Sequence, residues 1–378
     1  MPHLAINGYF WDQPTTGTGR YTRALIKELP RVWDGPISVL VSHGMDRTEL
    51  NLQSASVSAY PLTSPFSGSL GKVWFEQVAV PLAAKRLKAD VLHVPYFGPP
   101  IMCSIPTAVT VHDVIQLAVP RLQGSALNRW YNRLASAGAR TARVVIADSE
   151  HTRRDVITHL GVPEARVARI YLGVEPRFTN APDPEAEQRV RSKYGLAEPF
   201  LLYMGGLDWR KNVSMLLLSY ARSRTTYPLA IAGEARSTNH WAFPDLRSQV
   251  LRYGIEDRVR FLGWVAEEDQ PALYRAAHLF IFPSRYEGFG LTPLEAMACG
   301  APVLCSNATS LPEVAGDAAL LFSPDDEDHL MRLLRTVVDD TALLKTLREK
   351  GPEQARQFSW SRTAAETAAL LLSVAGGR

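Results

Sequence analysis

Short apolar runs alternate with amphipathic segments along nearly the whole chain, and this alternation constrains the fold more than any other feature. A run such as Leu-Phe-Ile-Phe at residues 279–282 is typical of a strand buried on both faces. The longer segments between such runs have the spacing of helices with one apolar side. Because strands that alternate with helices form parallel sheets covered on both faces, the sequence predicts an α/β protein.

Each half of the chain contains this pattern. In the first half, strands are predicted at residues 4–7, 37–41, 91–94, 108–112 and 144–148, and helices at 19–29, 70–88, 125–141 and 150–160. In the second half, strands are predicted at residues 200–204, 229–232, 259–262, 279–283, 302–306 and 319–322, with helices between them.

The length of 378 residues exceeds what one hydrophobic core usually supports, so we expect two domains. Prolines interrupt the periodicity between residues 173 and 184, which favours a boundary there. We place an N-terminal domain at residues 1–177 and a C-terminal domain at residues 178–358. A last helix is predicted within residues 359–378.

Composition and cysteine use bear on where the protein works. Apolar and charged fractions of 46% and 21% are those of a globular protein. The sequence shows neither an apolar run of 18 residues nor a basic segment followed by an apolar core at its start, so we expect no spanning helix and no secretory signal. Cys103, Cys299 and Cys305 lack metal-ligand spacing, which favours reduced thiols in a cytoplasmic protein.

Residues 284–295, Ser-Arg-Tyr-Glu-Gly-Phe-Gly-Leu-Thr-Pro-Leu-Glu, form the most specific motif in the chain. Pro293 suits the first position of a helix, so a strand, a glycine loop and a helix follow one another. Gly288 and Gly290 allow a ligand to approach the backbone, and the helix start offers N–H groups to a diphosphate. Glu287 and Glu295 would then accept hydrogen bonds from sugar and ribose hydroxyls on either side of the phosphate.

Residues 292–295 also have the form of a capping box, in which Thr292 caps the helix and Glu295 reaches back to it. This local pattern alone leaves both interpretations open. The full string, the seven residues between the glutamates, and the following Ala-Met-Ala-Cys-Gly-Ala-Pro-Val resemble the signature of the family-four (group 1) retaining glycosyltransferases. The resemblance implies the GT-B fold, with two Rossmann-like, doubly wound parallel-sheet domains facing across a cleft. It also implies that the N-terminal domain lies on the acceptor side, that the C-terminal domain binds the nucleotide sugar, and that the last helix, within residues 359–378, packs back on the N-terminal domain.

Residues 205–212, Gly-Gly-Leu-Asp-Trp-Arg-Lys-Asn, follow the first strand of the second half. The glycines fit a tight turn, and Arg210 and Lys211 supply two cations for a diphosphate. An ordinary turn with solvated charges is the alternative. The resembled family usually has an arginine nearer the glycines, where Leu207 stands here, so we favour Lys211 over Arg210 as the phosphate ligand.

The loop at residues 15–21, Thr-Thr-Gly-Thr-Gly-Arg-Tyr, follows the opening strand. By resemblance, Gly17 and Gly19 lie beside the donor phosphate and the acceptor, and a plain turn before a helix is the alternative. The loop also resembles the start of a dinucleotide fingerprint. Because Thr22 stands where the third glycine is needed and no acidic residue ends the second strand, a hydride-transferring oxidoreductase is disfavoured.

His112 ends the strand predicted at residues 108–112. A lone histidine is more often packed and hydrogen-bonded than catalytic, but Thr-Val-His-Asp at 110–113 resembles the family's His-Asp segment, which implies that His112 contacts the transferred sugar. Trp264 and Val265 resemble the residues that flank the base, with a buried core indole as the equal alternative for Trp264. The predicted donor site is completed by the motif residues Gly288, Phe289, Gly290, Leu291, Thr292 and Glu295.

Metal-dependent transferases often carry an Asp-x-Asp pair, and Asp326-Glu327-Asp328 has that spacing. These residues open a helical pattern, however, where acidic side chains interact favourably with the helix dipole. The resembled family is generally metal-independent. We therefore predict no metal site and no cofactor.

The predicted function is a retaining glycosyltransferase that moves a hexose from a nucleotide sugar to a glycan or lipid-linked acceptor. Its predicted catalytic residues are His112, Arg210, Lys211 and Glu287. The opening loop and the Asp-Trp-Arg-Lys-Asn turn are most like those of bacterial mannosyltransferases of polysaccharide assembly, which favours mannose and GDP-mannose, with a UDP-sugar as the alternative. A sugar-nucleotide epimerase, a glycan phosphorylase and a non-catalytic nucleotide-sugar-binding protein remain alternatives on the same fold.

The first half of the chain is basic, with 19 Lys and Arg against 13 Asp and Glu up to Phe178. Peripheral contact with the anionic inner face of the cell membrane is one interpretation. Solvated helix faces are the other, and we favour them slightly. No nucleic-acid partner is expected. The basic residues considered for membrane contact are Arg129, Arg133, Arg140 and Arg143, around Trp130 and Tyr131.

Overall fold

The computed structural model describes residues 1–45, 54, 56–119, 122, 124–196, 199–234 and 242–376. It divides into an N-terminal unit, Met1–Gly173 with Ser359–Arg378, and a C-terminal unit, Val174–Phe358. The sequence-based boundary was placed slightly later, after Arg177. Each unit contains one parallel sheet with helices between its strands, so the predicted class of two Rossmann-like α/β domains is confirmed.

Seven strands form the sheet of the N-terminal unit: β1 (Leu4–Asn7), β2 (Ile37–Ser42), β3 (Val57–Leu62), β4 (Val91–Val94), β5 (Thr107–Val111), β6 (Val144–Ala147) and β7 (Val167–Arg169). Their order across the sheet is β3-β2-β1-β4-β5-β6-β7. In the parallel register, Leu4 of β1 lies opposite Ile37 on one side and Val91 on the other. All residues of β1, β4, β5 and β6 are buried, because helices cover both faces.

The sequence-based prediction missed β3 and β7, the two edge strands of this sheet. An edge strand is partly exposed, so it needs no continuous apolar run. In β3 only Val57 is buried, and Pro61 interrupts the strand pattern. In β7 only Val167 is buried, and the strand has three residues.

The helices of the N-terminal unit lie between these strands: α1 (Gly17–Glu28), α2 (Gly68–Trp74), α3 (Val80–Arg86), α4 (Ile115–Ala118), α5 (Ala126–Thr141) and α6 (Glu150–Asp155). A π-helical turn, Phe75–Ala79, joins α2 to α3, so the helix predicted at residues 70–88 is two helices with a local change of pitch. Another π turn, Val156–Leu160, continues α6. Thr16, Ser125 and Ser149 cap α1, α5 and α6 with their side-chain oxygens.

The C-terminal unit has six parallel strands: β8 (Leu201–Met204), β9 (Leu229–Ala232), β10 (Val259–Gly263), β11 (Leu279–Phe282), β12 (Val303–Ser306) and β13 (Ala319–Phe322). Their order is β10-β9-β8-β11-β12-β13, so β8 and β11 are central neighbours. The helices of this unit are α7 (Pro184–Tyr194), α8 (Val213–Ser223), α9 (Leu246–Tyr253), α10 (Gln270–Ala276), α11 (Leu291–Ala298), α12 (Leu311–Ala315), α13 (Glu327–Thr336) and α14 (Thr341–Ala355).

The last helix, α15 (Trp360–Gly376), belongs to the N-terminal unit and packs against α1. Leu371 is fully buried there, which contributes about 1.5–3 kcal/mol of apolar burial. The hydroxyl of Thr363 donates to the carbonyl oxygen of Tyr171 at 2.7 Å. These contacts tie the end of the chain to the unit in which the chain begins.

None of the helices within the described residues is long and apolar enough to cross a membrane.

Candidate active site

The loop after β8 places two cations at the carboxyl end of the central strand. The side chain of Asp208 accepts from the Arg210 N–H at 3.1 Å and so starts a single 3-10 turn, Trp209–Lys211. The turn ends at Asn212, whose φ of 59° is left-handed. The Asn212 amide stabilises this conformation by donating to the Pro324 carbonyl oxygen at 2.9 Å. As a result, Arg210 and Lys211 have fixed positions at the carboxyl end of the sheet.

The loop after β11 starts at the same end of the sheet, because β8 and β11 are parallel neighbours. Ser284 is fully buried at the start of this loop. The loop ends at Gly290, whose φ of 117° only glycine adopts easily, and α11 begins at Leu291. An added Cβ at Gly290 would lie 2.9 Å from Leu311 Cδ2, so a larger residue would also have to displace this buried side chain.

Glu287 joins the two loops. Its Oε1 accepts from Lys211 Nζ at 2.6 Å and from the Ser284 hydroxyl at 2.6 Å, and its Oε2 accepts from Arg210 Nη1 at 3.1 Å. Arg210 also lies 3.5 Å from the carboxylate of Asp208. The predicted residues Arg210, Lys211 and Glu287 are therefore brought together in one cluster, although Glu287 is more than 70 positions from the other two in sequence.

The cluster is buried, which makes its charges interact strongly. The side chains of Lys211 and Glu287 are 11% and 12% exposed. Burial tends to raise the pKa of Glu287, but Lys211 and Arg210 outweigh it and hold that pKa below its usual value. Burial lowers the pKa of Lys211, against the opposing attraction of Glu287. The ammonium also lies 4.8 Å from the centre of the Phe282 ring, which adds a cation–π contact.

Three hydroxyl residues that the sequence analysis did not single out hold this loop in shape. Thr309 Oγ1 accepts from the Glu287 N–H and donates to the Glu287 carbonyl oxygen, both at 2.9 Å. The Ser310 hydroxyl lies 3.0 Å from the Glu287 carbonyl oxygen and 2.6 Å from that of Phe289. Together with Ser284, these residues follow β11 and β12 directly. Polar residues at the carboxyl ends of neighbouring parallel strands are the signal that would have identified them.

The capping interpretation of residues 292–295 is wrong. The N-cap of α11 is Gly290, and within the described residues no side chain caps this helix. Pro293 is accordingly the third helical residue rather than the first, which is tolerated because the N–H groups of the first turn have no intrahelical acceptor. Glu295 is 3% exposed, and its Oε2 lies 3.4 Å from the Tyr274 hydroxyl. Its carboxylate is thus part of a buried contact with α10.

The remaining donor-site predictions fall on both surface and core. Trp264 is 50% exposed just after β10, so the alternative of a buried core indole is wrong. Val265 and Phe289 are both 4% exposed, and the Phe289 ring packs edge-on against Phe358 at 5.8 Å. The side chains of these two residues are therefore parts of the core. Gly288, Leu291 and Thr292 are half-buried at the start of α11.

His112 lies in the N-terminal unit, where both of its ring nitrogens are engaged. Nδ1 lies 2.6 Å from Asp148 Oδ2, and Nε2 lies 3.1 Å from the Pro95 carbonyl oxygen. Because a carbonyl oxygen only accepts, Nε2 carries a hydrogen. Burial lowers the pKa of His112, but the charge of Asp148 outweighs it and the pKa is raised; burial also raises the pKa of Asp148. The pair therefore retains a proton that each group alone would lose more readily.

The two glycines of the opening loop lie in the first turn of α1 rather than in a loop before it. Thr16 accepts from the Gly19 N–H at 3.0 Å, which starts the helix. A Cβ at Gly19 would lie 1.9 Å from the Gln13 carbonyl oxygen, so glycine is required there by the preceding turn. A Cβ at Gly17 would have no neighbour within 4 Å, which leaves this part of the helix start accessible.

The acidic residues at 326–328 have structural roles. Asp326 caps α13 by accepting from the His329 N–H at 2.8 Å, and Asp328 lies 2.7 Å from Arg222, which also pairs with Glu327. In the part of the chain that the structure describes, no group of three His, Cys, Asp or Glu residues could hold a metal ion.

Two family models match the chain. The model described as "Glycosyl transferases group 1" matches residues 185–354, and the model described as "Glycosyltransferase Family 4" matches residues 15–178. The O-antigen chain mannosyltransferase B of Escherichia coli is 31% identical over 380 residues, covering 94% of this chain and 95% of that protein. The serotype-specific mannosyltransferase WbdA of Escherichia coli is 28% identical over 398 residues, covering 96% of this chain and 46% of that longer protein.

Among solved structures, Anabaena Alr3699/HepE in complex with UDP and glucose is similar, with a TM-score of 0.76 and 23% sequence identity. The alignment covers 99% of this chain and 100% of that protein. At this identity the likeness concerns the fold, which is a pair of Rossmann-like domains of the GT-B type in both proteins.

Proposed function

Because this chain belongs to the family-four, group 1 glycosyltransferases, we propose that it is a retaining mannosyltransferase that uses GDP-mannose and transfers mannose to a glycan or lipid-linked hydroxyl. The full-length similarity to a mannosyltransferase supports mannose as the transferred sugar. A UDP-sugar is the second candidate donor, because a protein of the same fold binds UDP.

The observation that carries this proposal is the buried cluster of Arg210, Lys211 and Glu287 beside the start of α11. Two cations and the free N–H groups of a helix start are the groups that stabilise a diphosphate. In glycosyl transfer the charge on the departing diphosphate grows as the bond to the sugar breaks. Groups fixed in advance around that charge lower the barrier, since they need no rearrangement during the reaction.

Glu287 has a positioning role in this proposal. A carboxylate can accept about four hydrogen bonds, and among the described residues three donors reach that of Glu287. The carboxylate therefore holds Lys211 and Arg210 apart at fixed positions and retains capacity for about one further donor. A hydroxyl of the transferred sugar is the donor that we propose for it.

The rest of the donor is assigned to neighbouring residues. Glu295 accepts from the ribose hydroxyls, which requires its buried carboxylate to exchange the long contact with Tyr274 for the ribose. The exposed Trp264 stacks on the base. The backbone around Gly288 and Gly290 approaches the sugar and the phosphates. Gly17 is proposed to contribute a backbone N–H group from the start of α1, while Gly19, whose N–H donates to Thr16 Oγ1 at 3.0 Å, shapes that start.

In the proposed chemistry the acceptor hydroxyl attacks on the face that the diphosphate leaves, and a donor phosphate oxygen takes its proton. Neither a protein nucleophile nor a metal ion has a part in this route. Because both nitrogens of His112 bond to protein groups, its proposed role is to present a positive charge and a fixed ring edge to the sugar, rather than to act as a general base.

The test is to incubate the protein with GDP-mannose, GDP-glucose, UDP-glucose and UDP-galactose, with mannose oligosaccharides as acceptors and EDTA present. Release of GDP that depends on the acceptor, with an α-linked product by NMR, is the expected result. Epimerised donor, or a sugar phosphate formed from a glycan and phosphate, would instead identify an epimerase or a phosphorylase. Donor binding without turnover would identify a non-catalytic binding protein.

Peripheral membrane contact is a separate part of the proposal. Leu127 and Trp130 are 52% and 48% exposed at the start of α5, next to Arg129 and Arg133. An apolar tip with adjacent arginines suits an anionic bilayer surface. Co-sedimentation with vesicles containing phosphatidylglycerol should fall when both apolar residues are replaced by serine, and unchanged sedimentation would contradict this contact.

A further inference from the structure

Tyr203 lies beneath the loop that follows β8, and its hydroxyl fixes one peptide group of that loop. The residue is fully buried in β8, and its ring stacks on that of Phe282 with the ring centres 6.3 Å apart. Its hydroxyl lies 2.5 Å from the carbonyl oxygen of Gly206. Burial and the charge of Glu287 hold the pKa of Tyr203 well above its usual value, so the hydroxyl keeps its proton and donates it to this carbonyl.

The two glycines of the loop allow the chain to pass closely over the Tyr203 hydroxyl. A Cβ at Gly205 would lie 3.0 Å from that hydroxyl, so a side chain there would press against it. The Gly205 N–H donates to the Ala232 carbonyl oxygen at 3.0 Å, which holds the loop to the end of β9. A Cβ at Gly206 would lie 3.9 Å from Lys211 Cγ. The peptide group after Gly206 is therefore fixed beside the stem of Lys211.

The orientation of this peptide group leaves the N–H of Leu207 without an acceptor. In a trans peptide the carbonyl and N–H groups point in opposite directions. Since Tyr203 holds the Gly206 carbonyl, the Leu207 N–H points to the other side of the loop, away from Tyr203. Among the described residues no acceptor receives it, although Leu207 is only 8% exposed. Poorly exposed N–H groups are nearly always paired in folded proteins, so we expect an acceptor from a ligand.

We propose that Tyr203 is a positioning residue for the donor, and that it turns the Leu207 N–H toward an oxygen of the diphosphate beside Lys211. A donor that is fixed before the ligand binds needs no rearrangement when charge grows on the departing diphosphate. The inference rests on the proposed function and adds to it a backbone donor and the residue that orients this donor. Because the diphosphate is common to GDP and UDP, the contact does not depend on the base.

The first experiment observes the Leu207 amide directly by NMR. The full chain is deuterated and labelled with ¹⁵N-leucine, and the Leu207 signal is assigned by its absence in Leu207→Ile. GDP, UDP and inorganic pyrophosphate are then added in EDTA. We expect each of them to move the Leu207 amide proton downfield, because the proton gains a charged acceptor. The movement should be smaller in Tyr203→Phe, where the peptide is free to turn.

The second experiment separates positioning from a merely structural role by calorimetry with GDP and UDP. Tyr220→Phe is the matched control, because Tyr220 is also fully buried and its hydroxyl donates to the Tyr227 carbonyl oxygen at 2.8 Å. Each variant leaves one carbonyl without its tyrosine donor, so both should lose a similar amount of stability. Only Tyr203→Phe should bind the nucleotides about tenfold more weakly, since one bond to a charged group is impaired.

Two outcomes would overturn the inference: a Leu207 amide that does not move when a nucleotide binds, or equal nucleotide affinities in Tyr203→Phe and Tyr220→Phe. The amide shift is measured on the wild type, so it decides the question even if a variant fails to fold. If UDP moves the Leu207 amide and GDP does not bind, the proposed donor is wrong while the inference stands. If neither nucleotide binds, the inference falls together with the proposed function.

Discussion

Replacement of Glu287 by glutamine tests whether a buried carboxylate holds the cations of the cluster in place. The carboxylate takes two charged donors, Lys211 Nζ at 2.6 Å and Arg210 Nη1 at 3.1 Å. A hydrogen bond to a charged group contributes about 1.5–3 kcal/mol, roughly twice as much as a neutral one. A neutral amide therefore removes about half of two such bonds, or about 1.5–3 kcal/mol. The Arg210 side chain is 25% exposed, which favours the lower end of this range.

A loss of about 1.5–2 kcal/mol in the transition state corresponds to a decrease in kcat/KM of about 10- to 30-fold. The same loss should lower the Tm of the C-terminal unit by roughly 3–8 °C. The assay is GDP release from GDP-mannose in the presence of acceptor, with Tm measured on the same samples. Glu353→Gln, at an exposed position on α14, is the matched control and should change stability by less than about 0.5 kcal/mol. Wild-type kcat/KM and Tm in Glu287→Gln would refute the positioning role.

Three further predictions concern the metal, the ribose and pH. Activity should persist in excess EDTA, and a loss that Mg²⁺ or Mn²⁺ restores would contradict the metal-independent route. Glu295→Gln should weaken donor binding by roughly 1–2 kcal/mol in calorimetry and leave kcat nearly unchanged; an unchanged Kd would show that Glu295 serves contacts within the protein and not the ribose. The folded-state pKa of His112 is raised, so its pairing with Asp148 contributes its full stabilisation below pH 6.5, the ordinary pKa of histidine. This stabilisation is lost as the pH rises through the raised pKa of the folded state. The difference in Tm between wild type and His112→Gln should therefore shrink as pH rises above 6.5, and parallel curves would contradict the assignment.

Central strands were predictable from sequence because burial on both faces requires apolar runs. β1, β4 and β9 were predicted with the bounds that the structure shows, and so was the edge strand β13, which keeps the apolar run Ala-Leu-Leu-Phe. The edge strands β3 and β7 were missed, since exposure at the edge removes the apolar signal. The family resemblance and the fold class are both confirmed.

Site residues were predictable only where a motif identifies them. Arg210, Lys211 and Glu287 were expected near one another, and they do meet. Their shared contact could not be foreseen, because it depends on β8 and β11 being neighbours and on the left-handed turn at Asn212. The start of α11 was misplaced because the Thr-Pro sequence resembles a cap. The helix instead follows the left-handed conformation of Gly290, its N-cap residue.

The contact between Glu76 and Tyr131 in the N-terminal unit had no sequence signature. Glu76 and Tyr131 lie 55 positions apart, and their contact arises from the packing of the helical segments that carry them. Glu76 is an unremarkable charge in an amphipathic helix until burial removes it from water. The roles of the predicted donor residues, by contrast, remain predictions until a ligand is bound.

The affinity of GDP for Lys211→Met, measured by calorimetry in EDTA, tests the central claim most directly. Methionine keeps the apolar stem of the buried side chain and removes the charge that we assign to the diphosphate. Lys350→Met, at an exposed position in the same unit, is the control. The account predicts that Kd rises about 10- to 100-fold in Lys211→Met, as one charge-assisted contact implies, and stays unchanged in the control. A wild-type Kd in folded Lys211→Met would show that the cluster is only a buried ion pair and that the donor diphosphate binds elsewhere.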